Sequence, residues 1–341
     1  MPRVTALSFA GGAVALMIAV FAGGVGSGTA TPGSPAAGKW CAGRTIVFFG
    51  GGSPGEAFSA EVTSGAKQAA ADLGADVRYV WSNWDPETMV SQFKAAIAAK
   101  PAGIAVVGQP GDAALKPWVD RAEAKGIVVT SQDAELPALM KQYQSRGFGF
   151  AGEDLYAAGQ LLAQSAVAQL HLKKGDRAMV WGPVTQGTRG LRTKGAIDAL
   201  KKARLKVDFV AIDSRTNADP TAGVPTFTAY VRSHPDVKLV VTDHAGLTAA
   251  AKTFLQAAHK GPNDIAVAGF DLLSETVKAI QGGWTDLVVD KQGWLQGYLP
   301  ILQVCLTTVY HFAGLDVDTG SGIIDKSTIG LLLPLVNKRI R

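Results

Sequence analysis

Short apolar runs alternate with longer amphipathic stretches from Arg44 onward, and midway along the chain the alternation starts afresh. In the first pass, Thr45–Phe49, Val77–Trp81, Gly103–Val107 and Ile127–Thr130 are apolar runs of the kind that form buried strands. Between them, Glu56–Leu73 repeats its apolar residues at helical spacing and stops at Gly74. Met89–Ala99 is a second helix, stopped by Pro101, and Ala113–Lys125 is a third. Strand–helix–strand order at this pace requires right-handed crossovers and a parallel sheet.

The second pass opens with Phe148–Ala151, which reads as an edge-like strand. Helices are expected at Tyr156–Leu170, Thr188–Ala203, Thr226–Ser233 and Leu247–Ala258. Strands are expected at Arg177–Trp181, Val207–Ile212, Leu239–Thr242 and Ile265–Phe270. A helix through Thr276, Val277 and Ile280 then leads to an apolar strand that ends in Asp290 and Lys291. The pattern therefore predicts two similar α/β units joined near Ser145–Phe148. The helix Trp294–Phe312 and the closing segment Gly320–Ile329 are expected to return to the first unit. The chain has 341 residues, 47% of them apolar, which is ample for two cores.

The amino terminus carries Arg3, then an uncharged apolar run from Ala6 to Val25, then a Gly/Ser/Thr/Pro/Ala stretch from Gly26 to Gly38. A positive start, an apolar core and small residues read as a secretory signal, with Gly24–Ala30 offering a cleavage region. An uncleaved anchor is the alternative, since the run approaches spanning length. Either way the body of the protein is expected outside the cytoplasm, in the periplasm or at the cell surface. The two cysteines, Cys41 and Cys305, are then candidates for one disulfide; the alternative is two separate thiols, with Cys305 packed in a helix.

The net charge of +5 is modest and the basic residues are scattered, so solvated helix faces explain them better than nucleic-acid binding. Two motifs invite an enzyme reading, and both fail. Gly50–Gly55 satisfies the dinucleotide fingerprint, but the second strand leads into Trp81-Ser-Asn-Trp84 and lacks the capping acid that would hold a ribose. The same tract satisfies G-x-S-x-G through Ser53, but the oxyanion donor would be Pro54, which has no N–H. The histidines lack metal-ligand spacing, and no lysine follows the glycines for a phosphate. No enzyme, metal or cofactor is expected.

What the strand ends do share is polarity. The first unit offers Phe58, Asn83, Trp84, Gln109, Gln132 and Asp133 just past its strands. The second offers Thr185–Arg192, Asp213–Asn217, Asp243 with His244, Asp271, and Asp290 with Lys291. Open α/β sheets bind ligands at these carboxyl ends. Carboxylates, amides and guanidinium groups with a few aromatic rings suit the hydroxyls and C–H faces of a carbohydrate. Asp85 and Ser274 read instead as helix caps.

Four segments carry a more specific resemblance: Val267-Ala-Gly-Phe-Asp271, Asp290-Lys-Gln-Gly-Trp-Leu-Gln-Gly-Tyr298, Gly152–Gly159 and Lys125–Asp133. From Arg44 to about Ile329 the chain resembles the periplasmic sugar-binding proteins of the ribose-binding family, which serve ABC transporters. The resemblance implies the type I periplasmic binding protein fold: two Rossmann-like, doubly wound parallel-sheet lobes joined by a three-segment hinge. Residues 1–40 would be signal and linker. Residues 41–146 with 291–318 would form the amino-terminal lobe, and 147–290 with 319–341 the other, with crossings near Arg146, Lys291 and Asp316–Gly320.

It also implies a ligand set of Phe58, Gln132, Asp133, Arg189 or Arg192, Asp243, Asp271 and Lys291, to which the polar strand ends add Asn83, Gln109 and Asn217 as candidates. Spacing alone does not choose between Arg189 and Arg192. Lys291 stands where the family has a hinge glutamine, and only Phe58 remains of the stacking aromatics. Both departures point away from a standard pyranose and toward a small polyol or short-chain sugar, bound by a monomer that delivers it to a membrane permease. Kindred alternatives are a pentose- or hexose-specific protein and an autoinducer-2 type receptor. A LacI-type repressor core would need a helix-turn-helix where the apolar export run stands.

Overall fold

The computed structural model describes residues 39–184, 187–336 and 338–341. The amino-terminal export reading therefore lies outside the described residues, as do Thr185 and Gln186.

The first sheet contains β1 (Thr45–Phe49), β2 (Asp76–Val80), β3 (Gly103–Val107), β4 (Val128–Asp133) and β5 (Phe150–Gly152), and the second β6 (Arg177–Gly182), β7 (Lys206–Ala211), β8 (Val237–Thr242), β9 (Ala266–Phe270) and β10 (Leu287–Asp290). Two late strands, β11 (Asp316–Asp318) and β12 (Gly322–Asp325), each add one edge. The orders are β11-β5-β4-β3-β1-β2 and β12-β10-β9-β8-β6-β7, so the two sheets repeat one winding. All pairings are parallel except β12 on β10.

The helices of the first half are α1 (Ala57–Leu73), α2 (Pro86–Ala98), α3 (Gly111–Glu123), α4 (Pro137–Tyr143), α5 (Leu155–Gln169) and α6 (Leu191–Lys202). Those of the second half are α7 (Ser214–Ala218), α8 (Val224–Ser233), α9 (Ala245–Ala249), α10 (Ala251–Ala257), α11 (Ser274–Gln281), α12 (Gly293–Tyr310) and α13 (Ile329–Val336). No described helix is long and apolar enough to cross a membrane.

Alternation along the strands feeds two apolar layers per sheet, as burial on both faces requires. In the first lobe Val47 and Phe49 pack with Phe93 and Val129, while Ile46 and Phe48 pack with Val62, Ile301 and Val304. In the second, Val180 and Phe270 face Leu162, while Met179 and Trp181 face Phe227 and Phe254.

α12 belongs to the first lobe. A Cβ on Gly65 of α1 would sit 1.9 Å from the Trp294 carbonyl oxygen, and one on Gly297 1.8 Å from that of Val62, so the two helices meet backbone to backbone. Cys41 and Cys305 are disulfide-bonded, which fastens the start of the body to the same helix.

Four expectations need correction. Phe148–Ala151 contributes to β5, which pairs with β4 in the first sheet, so the first crossing follows Gly152 rather than Arg146. Of the closing elements only α12 and β11 rejoin the first lobe; residues 322–325 pair with β10 in the second. The helix expected at Leu247–Ala258 breaks at Ala250. Asp85 caps α2 by accepting from the Thr88 N–H at 2.7 Å, but Ser274 does not cap: α11 starts after Leu273 with no side-chain cap.

Candidate functional site

The chain passes between lobes after β5, β10 and β11, at Glu153, Lys291 and Thr319. These crossings are bonded to one another. Gln296 Nε2 donates to the Lys291 carbonyl at 3.0 Å and to Thr319 Oγ1 at 2.9 Å, and Gln292 Nε2 donates to the Thr319 carbonyl at 2.9 Å.

Two aspartates occupy matching places in the two windings. Asp133 ends β4 with φ 66°, and Asp271 directly follows β9 with φ 72°. A left-handed backbone at a non-glycine residue is strained, is tolerated best by Asp and Asn, and clusters at functional sites. Here it aims both carboxylates at the hinge, where Lys291 Nζ lies 3.7 Å from Asp133 Oδ1 and 3.3 Å from Asp271 Oδ1. Asp271 Oδ2 also accepts from the Ala245 N–H at 2.9 Å. Burial works against the charge on Lys291, but Asp271 and Asp133 hold its ammonium above the ordinary lysine value.

Phe58 forms the wall beside them. Glu56 caps α1 by accepting from the N–H groups of Phe58 and Ser59, which fixes the first turn. The Phe58 ring stacks on Trp84 at 6.1 Å between centroids, and Lys291 Nζ sits 3.8 Å from its centroid. The glycine tract makes room for this wall: Gly51 has φ 79°, and a Cβ there would lie 2.4 Å from the Trp84 indole.

A second cationic group faces them from α6 and the turn before it. Arg189 pairs with Asp243 Oδ2, whose other oxygen accepts from Thr193 Oγ1 at 2.7 Å. Arg192 Nη1 donates to the Asp243 carbonyl at 2.8 Å, while its Nη2 lies 2.8 Å from Glu153 Oε2 at the first crossing. Burial opposes the ionisation of Asp243, but Arg189 and Arg192 hold its carboxyl below the usual range. Burial pushes Glu153 up to about 7, against the pull of Arg192 and Lys291. It pushes His244 down to about 4, so the imidazole beside Asp243 is neutral. The charged groups gathered here are Lys291, Arg189 and Arg192 on one side and Asp133, Asp243, Asp271 and Glu153 on the other, and each cation lies against at least one carboxyl. Gln132 Oε1, Glu153 Oε1, Arg189 Nη1 and Arg192 Nε are buried and take no hydrogen bond among the described residues.

Eight of the expected residues are thus accounted for around the hinge: Phe58, Asp133, Asp271 and Lys291 in one group, Arg189, Arg192 and Asp243 in the other, and Gln132 between the strand ends. Gln132 donates to the Phe49 carbonyl at 2.6 Å and braces β4 against β1. The other three stand apart. Asn83 and Asn217 are exposed, Asn217 as part of the short helix α7, and Gln109 is exposed and donates to the Trp84 carbonyl at 3.2 Å. The residues at 213–217 serve that helix instead: Asp213 caps it by accepting from the Thr216 N–H at 2.7 Å.

Sequence reasoning missed Glu153 and Glu61. Glu153 follows a short strand, the signal that marks the other sites, but the sequence pattern places that strand in the second lobe while it pairs with β4 in the first. Glu61 lies inside α1, where nothing in the pattern marks it; its Oε1 accepts from the Trp294 N–H at 3.1 Å, and burial, with Asp290 adding repulsion, pushes it up to about 7.

Comparison with known proteins gives a consistent answer. The family described as periplasmic binding protein domain matches residues 46–305. A xylose/arabinose-binding protein of Sulfolobus acidocaldarius is 32% identical over 271 residues, covering 74% of this chain and 65% of the relative. A D-ribose/D-allose-binding protein of Pseudomonas aeruginosa is 27% identical over 181 residues, covering 52% of this chain and 55% of the relative. The chain thus spans less than two thirds of either relative's length. Among solved structures, a carbohydrate transporter of Acidothermus cellulolyticus 11B in complex with myo-inositol matches with a TM-score of 0.71 at 23% identity, over 87% of this chain and 99% of that one.

Proposed function

Because this chain belongs to the periplasmic binding protein family, we propose that it is the extracytoplasmic receptor of an ABC transporter, binding a small uncharged sugar or polyol of tetrose to pentose size between its lobes. The observation that carries the reading is the convergence of Asp133 and Asp271, one from each lobe, on Lys291 at the hinge. A cleft whose cations each already lie against a carboxyl favours a neutral guest over an ion. Its buried, unpaired oxygens and nitrogens are the groups that hydroxyls satisfy, and a guest lacking one hydroxyl leaves a partner unpaired. The xylose/arabinose-binding relative supports the pentose size.

The mechanism is hinge closure. A ligand touching both lobes stabilises the shut form in proportion to its greater affinity for it, and that form is what a permease would recognise. Calorimetry with pentoses, hexoses, their alditols, erythritol and sugar acids tests the reading. We expect tight binding of at least one pentose or small alditol and contraction of the protein in solution scattering when it binds. Binding confined to hexoses, or to carboxylated sugars, overturns it.

A further inference from the structure

We propose that Arg341 is a positioning residue for the cleft: it occupies the Asp290 carboxylate and so leaves the neighbouring Lys291 ammonium to Asp133 and Asp271. The segment that carries it is anchored in the second lobe. α13 packs through Ile329, Leu332, Leu333 and Val336 on an apolar cluster with Val277, Ile280 and Val288. Residues 338–340 then turn back on the helix end, with Lys338 and Ile340 N–H groups donating to the Leu335 carbonyl at 3.1 and 3.0 Å. That turn brings Arg339 to the first lobe, where it lines a cavity of about 430 Å³ with Thr63, Ser64 and Lys67 of α1 and with Trp81.

Arg341 reaches the hinge. Its Nε lies 3.1 Å from Asp290 Oδ2, and its Nη1 donates to Gln292 Oε1 at 2.9 Å. Gln292 in turn holds the Thr319 carbonyl, so one guanidinium is linked to two of the three crossings. Asp290 is the last residue of β10 and 3% exposed, and its Oδ1 accepts from the Gln292 N–H at 2.9 Å. An uncompensated carboxylate there would compete with Asp133 and Asp271 for the only ammonium next to it in sequence. Burial already pushes Asp290 above the ordinary carboxyl range, with Arg341 the strongest opposing influence.

The consequence for ligand rests on the receptor reading; the consequence for Lys291 does not. The experiment separates them. NMR of ¹³C-lysine-labelled, ligand-free protein follows the Lys291 ε-methylene, assigned with Lys291→Gln, and calorimetry follows whichever sugar or alditol the parent binds. The variants are Arg341→Gln, Arg341→Lys and Arg341→Gln with Asp290→Asn. We expect Arg341→Gln to shift the Lys291 signal and weaken binding by about tenfold or more. Arg341→Lys and the double variant should restore both readouts toward the parent. An unshifted Lys291 signal in Arg341→Gln overturns the proposal, as does a double variant that stays as impaired as the single. If the parent binds nothing in the panel, the receptor reading fails while the Lys291 signal still decides this one. Should Arg341→Gln not fold, Asp290→Asn alone decides: Lys291 must keep its parental signal.

Discussion

The Lys291 ammonium covers Phe58, 3.8 Å from the ring centroid, on the wall where the family resemblance implies a sugar's C–H face would stack. A cation over a ring in a desolvated place is worth roughly 2 kcal/mol, so a guest that stacks on Phe58 must displace it or fit beside it. Lys291→Gln removes the cation and shortens the side chain. The expected result is a relaxed size limit: hexoses gain affinity relative to pentoses and alditols by about tenfold, measured by calorimetry on both proteins. An unchanged preference would mean that Lys291 does not set ligand size.

Asp271 has two duties that substitution can separate. Oδ1 faces Lys291, and Oδ2 accepts from the Ala245 N–H at the start of α9. Asp271→Asn keeps an acceptor for Ala245 and removes the charge; it should weaken binding by about tenfold to hundredfold while moving the ligand-free melting temperature by less than about 3 °C. Asp271→Ala should abolish binding and lower the melting temperature further, because the Ala245 N–H then loses its partner. Equal melting temperatures for the two variants would remove the structural half of this assignment.

Glu61 and Glu153 give the lobes a pH dependence of definite sign. Both are pushed from 4.5 up to about 7, so between those values the folded state holds more protons than the unfolded chain. Stability therefore falls as pH rises through that window. His244, pushed from 6.5 down to about 4, works in the opposite direction below 6.5, so the informative quantity is a difference between proteins. Melting curves of the parent, Glu61→Gln and Glu153→Gln between about pH 5 and pH 8 should show each variant losing less stability on the alkaline side. A variant that parallels the parent throughout would place that carboxyl's titration elsewhere.

Periodicity made the strands and helices legible, because burial on both faces leaves uninterrupted apolar runs in strands such as Gly103–Val107. It could not assign β5 to a lobe. Phe150–Gly152 is three buried residues, and which sheet receives them depends on where the chain crosses, which no local pattern encodes. The polar strand ends were legible for the same reason as the strands, yet exposure was not. Asn217 follows a strand and Asp133 ends one, but the first is taken up by a helical turn and the second is turned toward the hinge by its left-handed backbone. Glu61 was invisible because its role depends on α12 returning to α1 across 233 residues of sequence.

The Cys41–Cys305 bond closes a separation of 264 residues. Replacing both cysteines by serine should cost about 2–5 kcal/mol of stability in denaturant titration. Both sulfurs lie in the apolar layer between β1 and α12, away from the cleft, so ligand affinity should not change. Affinity falling with stability would show that α12 transmits strain to Lys291 at its amino-terminal end.

Gln132 and the exposed trio separate two meanings of a polar strand end. Gln132 is 1% exposed, spends its Nε2 on the Phe49 carbonyl and keeps Oε1 unpaired. Its replacement by Ala would strand that carbonyl and remove an acceptor from the cleft, so both stability and affinity should drop, the latter by about tenfold. Asn83, Gln109 and Asn217 have solvent on them and no bond to the charged groups at the hinge. Alanine at each should leave affinity within about threefold of the parent, since an exposed polar group exchanges water for ligand at little net gain. A tenfold loss at any of the three would mean that lobe closure brings that residue onto the ligand.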